Sequence, residues 1–316
     1  MHLIPVKLTV ARLRQRLLDP PQQLDAAIPA FLLLFLSASP VRAAVVSEGD
    51  KEDLIISMAN SRYEYVKSFE AHDALLPSTW IVIRIDGCHF HRFSDVHEFE
   101  KPNDENALKL MNSCALAMFE QFPDIVFAYG VSDEYSFVLK KSSKFYERRS
   151  SKILSLSVSF FSSTYVMKWK DYFPEKSLQC TPYFDGRVIC YPSQEILRDY
   201  LSWRQVDCHI NNQYNTCFWM LVDSGKSKRE AQDILKGTQT SEKNELLYEK
   251  FGINYNMIPA IFRKGSCIYR EMVDEIVKYN EAGTPIRRPR KKVVLDHCDI
   301  IGPEFWNEHP TILLDK

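Results

Sequence analysis

Trp80-Ile-Val-Ile-Arg-Ile-Asp-Gly87 is a run of mostly β-branched residues that stops at an Asp-Gly pair. Such a run predicts a buried strand that ends in a tight turn. Two further strand-like runs, Ile125–Tyr129 and Tyr135–Leu139, are separated by Gly130-Val-Ser-Asp-Glu134, which is typical of a hairpin. A β-α-β-β order places the first strand beside the hairpin, so we expect one antiparallel sheet.

The segment between the first strand and the hairpin is predicted to be a helix. Asn103 or Asp104 is its expected N-cap, and Pro123 follows its end. Apolar residues recur between them at helical spacing, namely Leu108, Met111, Ala115, Met118 and Phe122.

The remaining chain is predicted to be mainly helical. Helices are expected over residues 143–169, over 193–223 with a break near Asp207, and as two short helices within 227–251. A last strand is expected at Ser266–Tyr269, and the Pro-, Gly- and Arg-rich residues 283–292 predict a loop. The mixture indicates an α+β fold, in which helices pack on an antiparallel sheet.

The hydrophobic content, net charge and cysteine pattern limit the classes of protein to which the chain can belong. The chain has 316 residues, 45% of them hydrophobic, and a formal net charge of −1, so global disorder is not expected. A protein that grips RNA over its whole surface is usually basic, so any RNA contact must come from local patches. The eight cysteines form no C-x-x-C pair, which favours reduced thiols over a zinc site or a disulfide framework.

Residues 1–57 lack the sequence pattern of a folded domain that begins at Met58, and they are excluded from the fold prediction. Phe31–Ser37 is an apolar run that is far too short to span a bilayer. A secretory leader, a transit-type presequence with Arg12, Arg14 and Arg16, and a working start at Met58 all remain open. We expect a cytoplasmic protein, with a mitochondrial location as the alternative through this extension.

Two acidic points stand at the ends of apolar strands. Asp86 ends the first strand, and Asp133 and Glu134 lie in the hairpin turn. If these points converge on one sheet edge, they offer the hard oxygen ligands that Mg²⁺ ions prefer. Gly87 would let backbone and phosphate approach closely. The competing interpretation is a pair of ordinary solvated turns.

Other polar residues are candidate contacts to a nucleotide or to RNA. His91 suits a nucleotide or a base, whereas the His89–His91 pair lacks a third ligand for zinc. Arg149 and Lys152 are spaced to share a helix face that binds anions. The amides and imidazole of His209-Ile-Asn-Asn212 suit RNA base edges, although buried core hydrogen bonds explain them equally well.

Six motifs between Met58 and His309, in order and with matching spacing, resemble those of eukaryotic tRNA-histidine guanylyltransferases. They are Ile83-Arg-Ile-Asp-Gly87, Phe90-His-Arg-Phe93, Lys101-Pro-Asn-Asp104, Ser132-Asp-Glu-Tyr-Ser-Phe137, Tyr200-Leu-Ser-Trp-Arg204 and His209-Ile-Asn-Asn212. The resemblance implies a polymerase-palm-like antiparallel sheet packed with helices in residues 58–190. It also implies a mainly helical region, residues 191–316, for tRNA binding and assembly.

The resemblance further implies an activity and its site. ATP would activate the 5′-phosphate of tRNA-His, and the 3′-hydroxyl of GTP would then attack, so that a guanylate is added in the 3′–5′ direction. Two Mg²⁺ ions would be held by Asp86, the Gly87 carbonyl and Asp133, with Glu134 beside them as a third catalytic residue. The chain would assemble as a homotetramer, a dimer of dimers, and no membrane partner is expected.

The resemblance also assigns the binding residues. Those for the guanine nucleotide would be Asp86, Gly87, Cys88, His89, Phe90, His91, Ser132 and Asp133. Those for triphosphates would be Lys101, Arg149, Lys152 and Arg187, and those for tRNA would be His209, Asn211 and Asn212. Cys88 and His89 depart from the family's usual residues and leave nucleotide choice open. The alternatives are a tRNA-binding relative with little or no catalytic activity and a palm-type nucleotide cyclase.

Overall fold

The computed structural model describes residues 62–279 and 283–314. The expectations for residues 1–57 fall outside this range. The chain divides between Glu64 and Tyr65, and the elements that form the sheet and its cores belong to the unit that begins at Tyr65. A 3-10 segment, Glu64–Phe69, precedes them.

Within the described residues, six strands form one antiparallel sheet in the order β4-β1-β3-β2-β5-β6. Their bounds are Trp80–Gly87 (β1), Ile125–Val131 (β2), Glu134–Leu139 (β3), Phe184–Tyr191 (β4), Ser266–Tyr279 (β5) and Pro285–Asp296 (β6). The first strand therefore pairs with the second strand of the hairpin. The antiparallel α+β architecture expected from the sequence is confirmed.

Three helices cover one face of the sheet. They are α1 (Phe90–Val96), α2 (Glu105–Gln121) and α3 (Ser150–Tyr172). Side chains alternate along β1, so Ile81, Ile83 and Ile85 enter the core beneath these helices. Burial of each such side chain stabilises the fold by roughly 1.5–3 kcal/mol. Asp104 caps α2 as expected, because its carboxylate accepts a hydrogen bond from the Ala107 amide.

The opposite face of the sheet packs against the long helix α4 (Gln194–Asp223) and the C-terminal helix α8 (Pro303–Glu308). Trp80 and Val82 alternate with the isoleucines of β1 and contact this second core. The shorter helices α5 (Lys228–Leu235), α6 (Thr240–Phe251) and α7 (Ala260–Lys264) follow α4. A third core forms between the C-terminal half of α4, α5 and α6.

Two predictions about helix boundaries were wrong. The helix α4 runs through Asp207 without a break, because Asp207 pairs with Arg204 one turn earlier and stays compatible with the helix. The helix α3 begins at Ser150 rather than at 143. Tyr146, Glu147 and Arg148 before it adopt left-handed backbone angles, and the buried Arg148 guanidinium donates to the carbonyls of this corner.

The prediction of a loop at 283–292 was also wrong. These residues lie mostly in β6, which pairs with β5 along nearly its whole length. The predicted strand at 266–269 likewise extends to Tyr279. Pro289 is tolerated because β6 is the edge strand, whose outward amides have no ladder partner. The C-terminal region therefore contributes two strands to the sheet besides its helices.

In the part of the chain that the structure describes, none of the helices combines the length and the apolar character needed to cross a bilayer.

Candidate active site

The end of β1 meets the turn between β2 and β3. Asp86 lies directly opposite Glu134 in the ladder, and the Gly87 amide donates a hydrogen bond to the Asp133 carbonyl over 3.0 Å. Ser132 in the turn adopts a left-handed φ of 53°. Such a conformation is uncommon outside glycine and persists where the surroundings enforce it. The two acidic points of the sequence are thus brought together at one edge of the sheet.

Gly87 is required here by space rather than by its backbone angle. A Cβ at this position would lie 2.4 Å from the Phe90 ring and 2.8 Å from the Asp133 Oδ2. No side chain fits at such distances without displacement of the ring or the carboxylate. The Asp133 carboxylate therefore lies against the bare backbone of Gly87.

The carboxylates of Asp86 and Asp133 are held in an environment that resists their charge. Burial raises the pKa of Asp86, and the nearby Asp185 raises it further. Burial also raises the pKa of Asp133, where a hydrogen bond from Ser132 opposes the shift and the charge of Asp86 adds to it. Arg84, Arg187 and Arg204 oppose the shift at Asp86, yet its pKa stays raised. Both shifts therefore indicate negative charge that the protein neutralises only in part.

Glu134 has a different environment from these two aspartates. Its Oε1 lies 2.9 Å from the Arg204 Nε, at an angle that makes the contact an ion pair rather than a hydrogen bond. Its Oε2 lies 3.8 Å from the Arg84 Nε. Burial raises the pKa of Glu134 in spite of both arginines. The Glu134 carboxylate is therefore paired with two arginines, whereas in the described residues Asp86 feels its arginines from beyond ion-pair distance and Asp133 has no ion pair.

The Asp86–Asp133 pair suits a magnesium site by its chemistry. Mg²⁺ takes oxygen ligands, is commonly held through one or two carboxylates, and completes its shell with water and substrate phosphates. Across residues 62–279 and 283–314, no group of three or more His, Cys, Asp and Glu side chains is placed to hold a metal. The two aspartates are thus an open pair of hard ligands rather than a closed structural site.

A cavity of about 730 Å³ opens beside these residues. Asp86, Asp133 and Glu134 line one end of it, together with Phe90, His91 and Ser132. Gly87, Cys88 and His89, also expected at the nucleotide, are not among its lining residues. The Cys88 amide instead donates to the Tyr183 carbonyl, and His89 holds the left-handed N-cap of α1.

The four cations expected to bind triphosphates are not gathered in one place. Lys101 lines the cavity, where its Nζ donates to the Ser94 hydroxyl over 2.9 Å. The other three residues are not among those that line it, and Arg149 stands at the N-cap rather than inside the helix that carries Lys152. Arg149 is the N-cap of α3 and pairs with Asp73, Lys152 is exposed on α3, and Arg187 on β4 pairs with Asp185.

The His209–Asn212 segment divides into residues with different surroundings. The buried Asn212 amide donates to the Asn103 side-chain oxygen over 2.9 Å, and its own oxygen accepts from the Tyr255 hydroxyl over 3.0 Å. His209 is not among the residues that line the cavity, and burial lowers its pKa, with Arg263 adding to the shift. Asn211 is exposed and lines the cavity. Of the three, Asn211 is the one whose amide is free to contact a ligand there.

Several residues that line the cavity were not predicted from the sequence to have a functional role. Arg204 was quoted within a motif but assigned nothing, although it holds Glu134. Asn215, Phe218, Trp219 and Lys228 extend the cavity along α4 to the start of α5. The four-residue spacing of Asn211, Asn215 and Trp219 places them on one helix face and is the signal that could have found them.

Comparison with known proteins gives a consistent result. A sequence profile described as tRNAHis guanylyltransferase matches residues 63–192, and a profile of the Thg1 C-terminal domain matches residues 195–302. The chain is 63% identical over 250 residues to tRNA(His) guanylyltransferase 2 of Arabidopsis thaliana, which covers 79% of this chain and 47% of the relative. The chain thus spans about half the length of that plant relative.

Two other similar proteins are covered more fully. A probable tRNA(His) guanylyltransferase of Dictyostelium discoideum is 54% identical over 260 residues, which is 82% of this chain and 100% of that protein. The crystal structure of the tRNA(His) guanylyltransferase from Saccharomyces cerevisiae is 50% identical and superposes with a TM-score of 0.63. That match covers 65% of this chain and 92% of the yeast chain.

Proposed function

Because this chain belongs to the tRNAHis guanylyltransferase family, we propose that it adds a guanylate to the 5′ end of tRNA-His. One observation carries the proposal: Asp86 and Asp133 meet beside a cavity of about 730 Å³, and burial raises the pKa of both carboxyl groups although three arginines act on Asp86. Converging carboxylates beside a large polar cavity suit nucleotidyl transfer, in which charge develops on phosphate oxygens.

Two Mg²⁺ ions would be held by Asp86, the Gly87 carbonyl and Asp133, and would stabilise the attacking and leaving oxygens. The raised pKa values of both aspartates support this, since a bound cation would relieve the charge that burial disfavours. Glu134 acts differently in the proposal. Its pairing with Arg204 and Arg84 makes it a residue that positions β3 and shapes the local field rather than a metal ligand.

GTP would bind near the carboxylates, and ATP would activate the 5′-phosphate of the tRNA. Phe90, His91 and Ser132 support a nucleotide site, because they line the same end of the cavity as Asp86. Lys101 would contact a triphosphate inside the cavity. Arg149, Lys152 and Arg187 remain proposed anion contacts, but their positions suit a polyanion that passes outside the cavity.

tRNA binding needs local positive surface on a nearly neutral chain. The projecting part of the β5–β6 ribbon supplies one, because β6 carries five exposed cations within six residues: Arg287, Arg288, Arg290, Lys291 and Lys292. Arg290 and Lys292 pair with Glu275 on β5. We assign this surface to the tRNA backbone and Asn211 to a base edge in the cavity, with His209 and Asn212 holding α4 in place.

We further propose that residues 58–190 carry the chemistry and that residues 191–316 serve tRNA binding and assembly into a homotetramer. The helix α4 supports an assembly role, since it presents apolar side chains to solvent along one stripe. Their exposed fractions are 44% for Ile196, 53% for Trp203, 40% for Val206 and 50% for Ile210. Large exposed apolar surfaces commonly mark protein–protein contacts. Val206→Asp is expected to lower the assembled mass in light scattering.

For the location we propose the cytoplasm, with import into mitochondria through residues 1–57 as the alternative. A fluorescent reporter fused after residue 57 distinguishes the two, since mitochondrial signal would establish import.

The activity is tested with the full chain, Mg²⁺, ATP, labelled GTP and a 5′-monophosphorylated tRNA-His transcript. We expect label at the 5′ end, lost without Mg²⁺ and in Asp133→Ala. tRNA binding without incorporation would favour a binding-only relative. A cyclic product from GTP alone would favour a nucleotide cyclase.

A further inference from the structure

The cavity extends along α4 from Arg204 to Trp219 and on to the start of α5. We define the distal recess by Lys101, Asn215, Phe218, Trp219 and Lys228, all of which line the cavity. On α4, Arg204 beside the carboxylates and Trp219 are fifteen residues apart, which corresponds to about 22 Å along the helix. Trp219 and Lys228 are thus separated along α4 from the residue that pairs with Glu134, and they can form a subsite that Lys101 connects to α1 through Ser94 and Asp95.

Two cations converge on one aromatic ring in the recess. The Lys101 Nζ lies 5.8 Å from the centre of the Trp219 ring, and the Lys228 Nζ lies 5.5 Å from it. Lys101 is shared with Asp95, whose Oδ1 is 3.3 Å away. For Lys228, no carboxylate within residues 62–279 and 283–314 stands at ion-pair distance. Two ammonium groups that approach the same ring repel each other, and an anion between them would relieve the repulsion.

The walls of the recess suit a nucleobase. Trp219 is half-buried, and the Phe218 ring packs against it edge-on at 5.4 Å. Asn215 is exposed one turn before Trp219 and offers both a donor and an acceptor. Aromatic faces beside lysines and amides are the combination with which proteins bind nucleotides without a base-paired partner.

A hydrogen bond between α4 and the segment before α2 helps to fix the position of the recess. The Asn212 amide ties Asn103, and with it the segment that carries Lys101, to α4. The Lys101 Nζ is also held by the Ser94 hydroxyl and the Asp95 carboxylate, and it lies 5.8 Å from the Trp219 ring centre.

We infer that the distal recess binds a phosphorylated nucleotide, with its base against Trp219 and its phosphate between Lys101 and Lys228. The inference rests on the proposed function for its substrates. The nucleotide comes from one of two sources: a free nucleoside triphosphate, or the terminal nucleotide of the RNA. Either source brings the same chemistry to the recess, and binding experiments separate them.

Equilibrium binding to the full-length chain tests this without turnover. One probe is a non-hydrolysable ATP analogue, and the other is the tRNA-His transcript with either a 5′-phosphate or a 5′-hydroxyl. The variants are Lys228→Ala, Lys228→Arg, Trp219→Leu and Trp219→Phe. Lys226→Ala is the matched control, because Lys226 is an exposed neighbour that does not line the cavity.

Lys228→Ala is expected to weaken binding of the probe that occupies the recess about ten- to hundredfold, whereas Lys228→Arg stays within about threefold. Trp219→Leu weakens the same probe about five- to hundredfold through lost stacking. Trp219→Phe retains most affinity but loses the quenching of tryptophan fluorescence that the probe causes in the wild type. Loss confined to the analogue identifies a free nucleotide, and loss confined to the 5′-phosphorylated transcript identifies the RNA end.

The inference is overturned if Lys228→Ala and Trp219→Leu both bind the two probes as tightly as Lys226→Ala does. Should Trp219→Leu fail to fold, Lys228→Ala decides alone, because its side chain is exposed. A chain that binds the probes through the recess but never incorporates GTP contradicts the proposed function and not this inference. If the chain incorporates GTP but the recess substitutions leave binding of both probes unchanged, only the inference is contradicted.

Discussion

The Gly87 amide donates to the Asp133 carbonyl over 3.0 Å, and this bond joins the end of β1 to the hairpin turn. It places the Asp133 carboxylate against a residue without a side chain, where a Cβ would lie 2.8 Å from Oδ2. The bond and the missing side chain together set the distance between the two acidic points. The geometry of the site therefore depends on a backbone contact between distant segments.

Gly87→Ala is expected to abolish most nucleotidyl transfer, about a hundredfold or more, because the methyl group displaces Phe90 or the Asp133 carboxylate. Steady-state incorporation of labelled GTP measures the loss. Gly225→Ala is the control, since its φ of 96° strains the backbone while nothing lies within 4 Å of the added atom. Gly225→Ala should lower stability by about 1 kcal/mol and leave activity intact; equal loss of activity in both would contradict this account.

Asp133→Asn is expected to lose activity about a thousandfold or more yet to unfold at a higher temperature in metal-free buffer at neutral pH. The substitution removes a buried charge that repels Asp86. A gain of about 1 kcal/mol corresponds to a rise of roughly 2–4 °C. Calorimetry with and without Mg²⁺ checks this, since Mg²⁺ should stabilise the wild type and not the variant. The exposed Asp185→Asn should keep its response to Mg²⁺.

The pH dependence of stability follows from the raised pKa values of Asp86, Asp133 and Glu134. A carboxyl group whose pKa is higher in the folded state binds more protons there than in the unfolded chain. The contribution of these groups to the free energy of unfolding therefore falls as the pH rises above about 4, toward the folded pKa values.

Urea titrations across this range, in EDTA and in Mg²⁺, measure the effect. Compared with Asp133→Asn, the wild type in EDTA should lose stability as the pH rises. Mg²⁺ should reduce that loss. Parallel pH profiles for the two proteins would contradict the assignment of uncompensated charge to Asp133.

Arg204→Met is expected to lower the free energy of unfolding by about 3–5 kcal/mol, because it leaves Glu134 buried without its nearer cation. The side chains of Arg204 and Glu134 are only 9% and 13% exposed, so water cannot replace the pairing. A double variant, Arg204→Met with Glu134→Leu, should regain much of the loss. Urea unfolding of the four proteins in the cycle gives the coupling, and simple additivity would show that the pair is not a unit.

Asn212→Ala and Asn211→Ala should separate the holding role from the binding role. Asn212→Ala leaves the Asn103 oxygen and the Tyr255 hydroxyl without their partner and is expected to cost about 1–3 kcal/mol. It should also raise KM for the nucleotides by moving the Lys101 segment. Asn211→Ala should change stability by less than about 0.5 kcal/mol and weaken tRNA binding instead. The opposite pattern would support the expectation from the sequence, in which Asn212 contacts the tRNA.

The sequence by itself determined the elements whose signal is local. Alternation along Trp80–Gly87 divided its residues between two cores, and Asp104 marked the start of α2, because strand and helix periodicities act over a few residues. Asp86 at the end of β1, and Asp133 and Glu134 in the hairpin turn, could be predicted for the same reason.

Only the tertiary structure decided which of these residues meet. The Asn212 amide bonds to Asn103, 109 positions earlier in the chain, and no local pattern reveals such a partner. Residues 283–292 look like a loop by composition and become a strand because β5 supplies the hydrogen bonds for it. The cations expected to share triphosphates likewise separate, since burial and neighbouring carboxylates, rather than spacing, decide where a charged side chain lies.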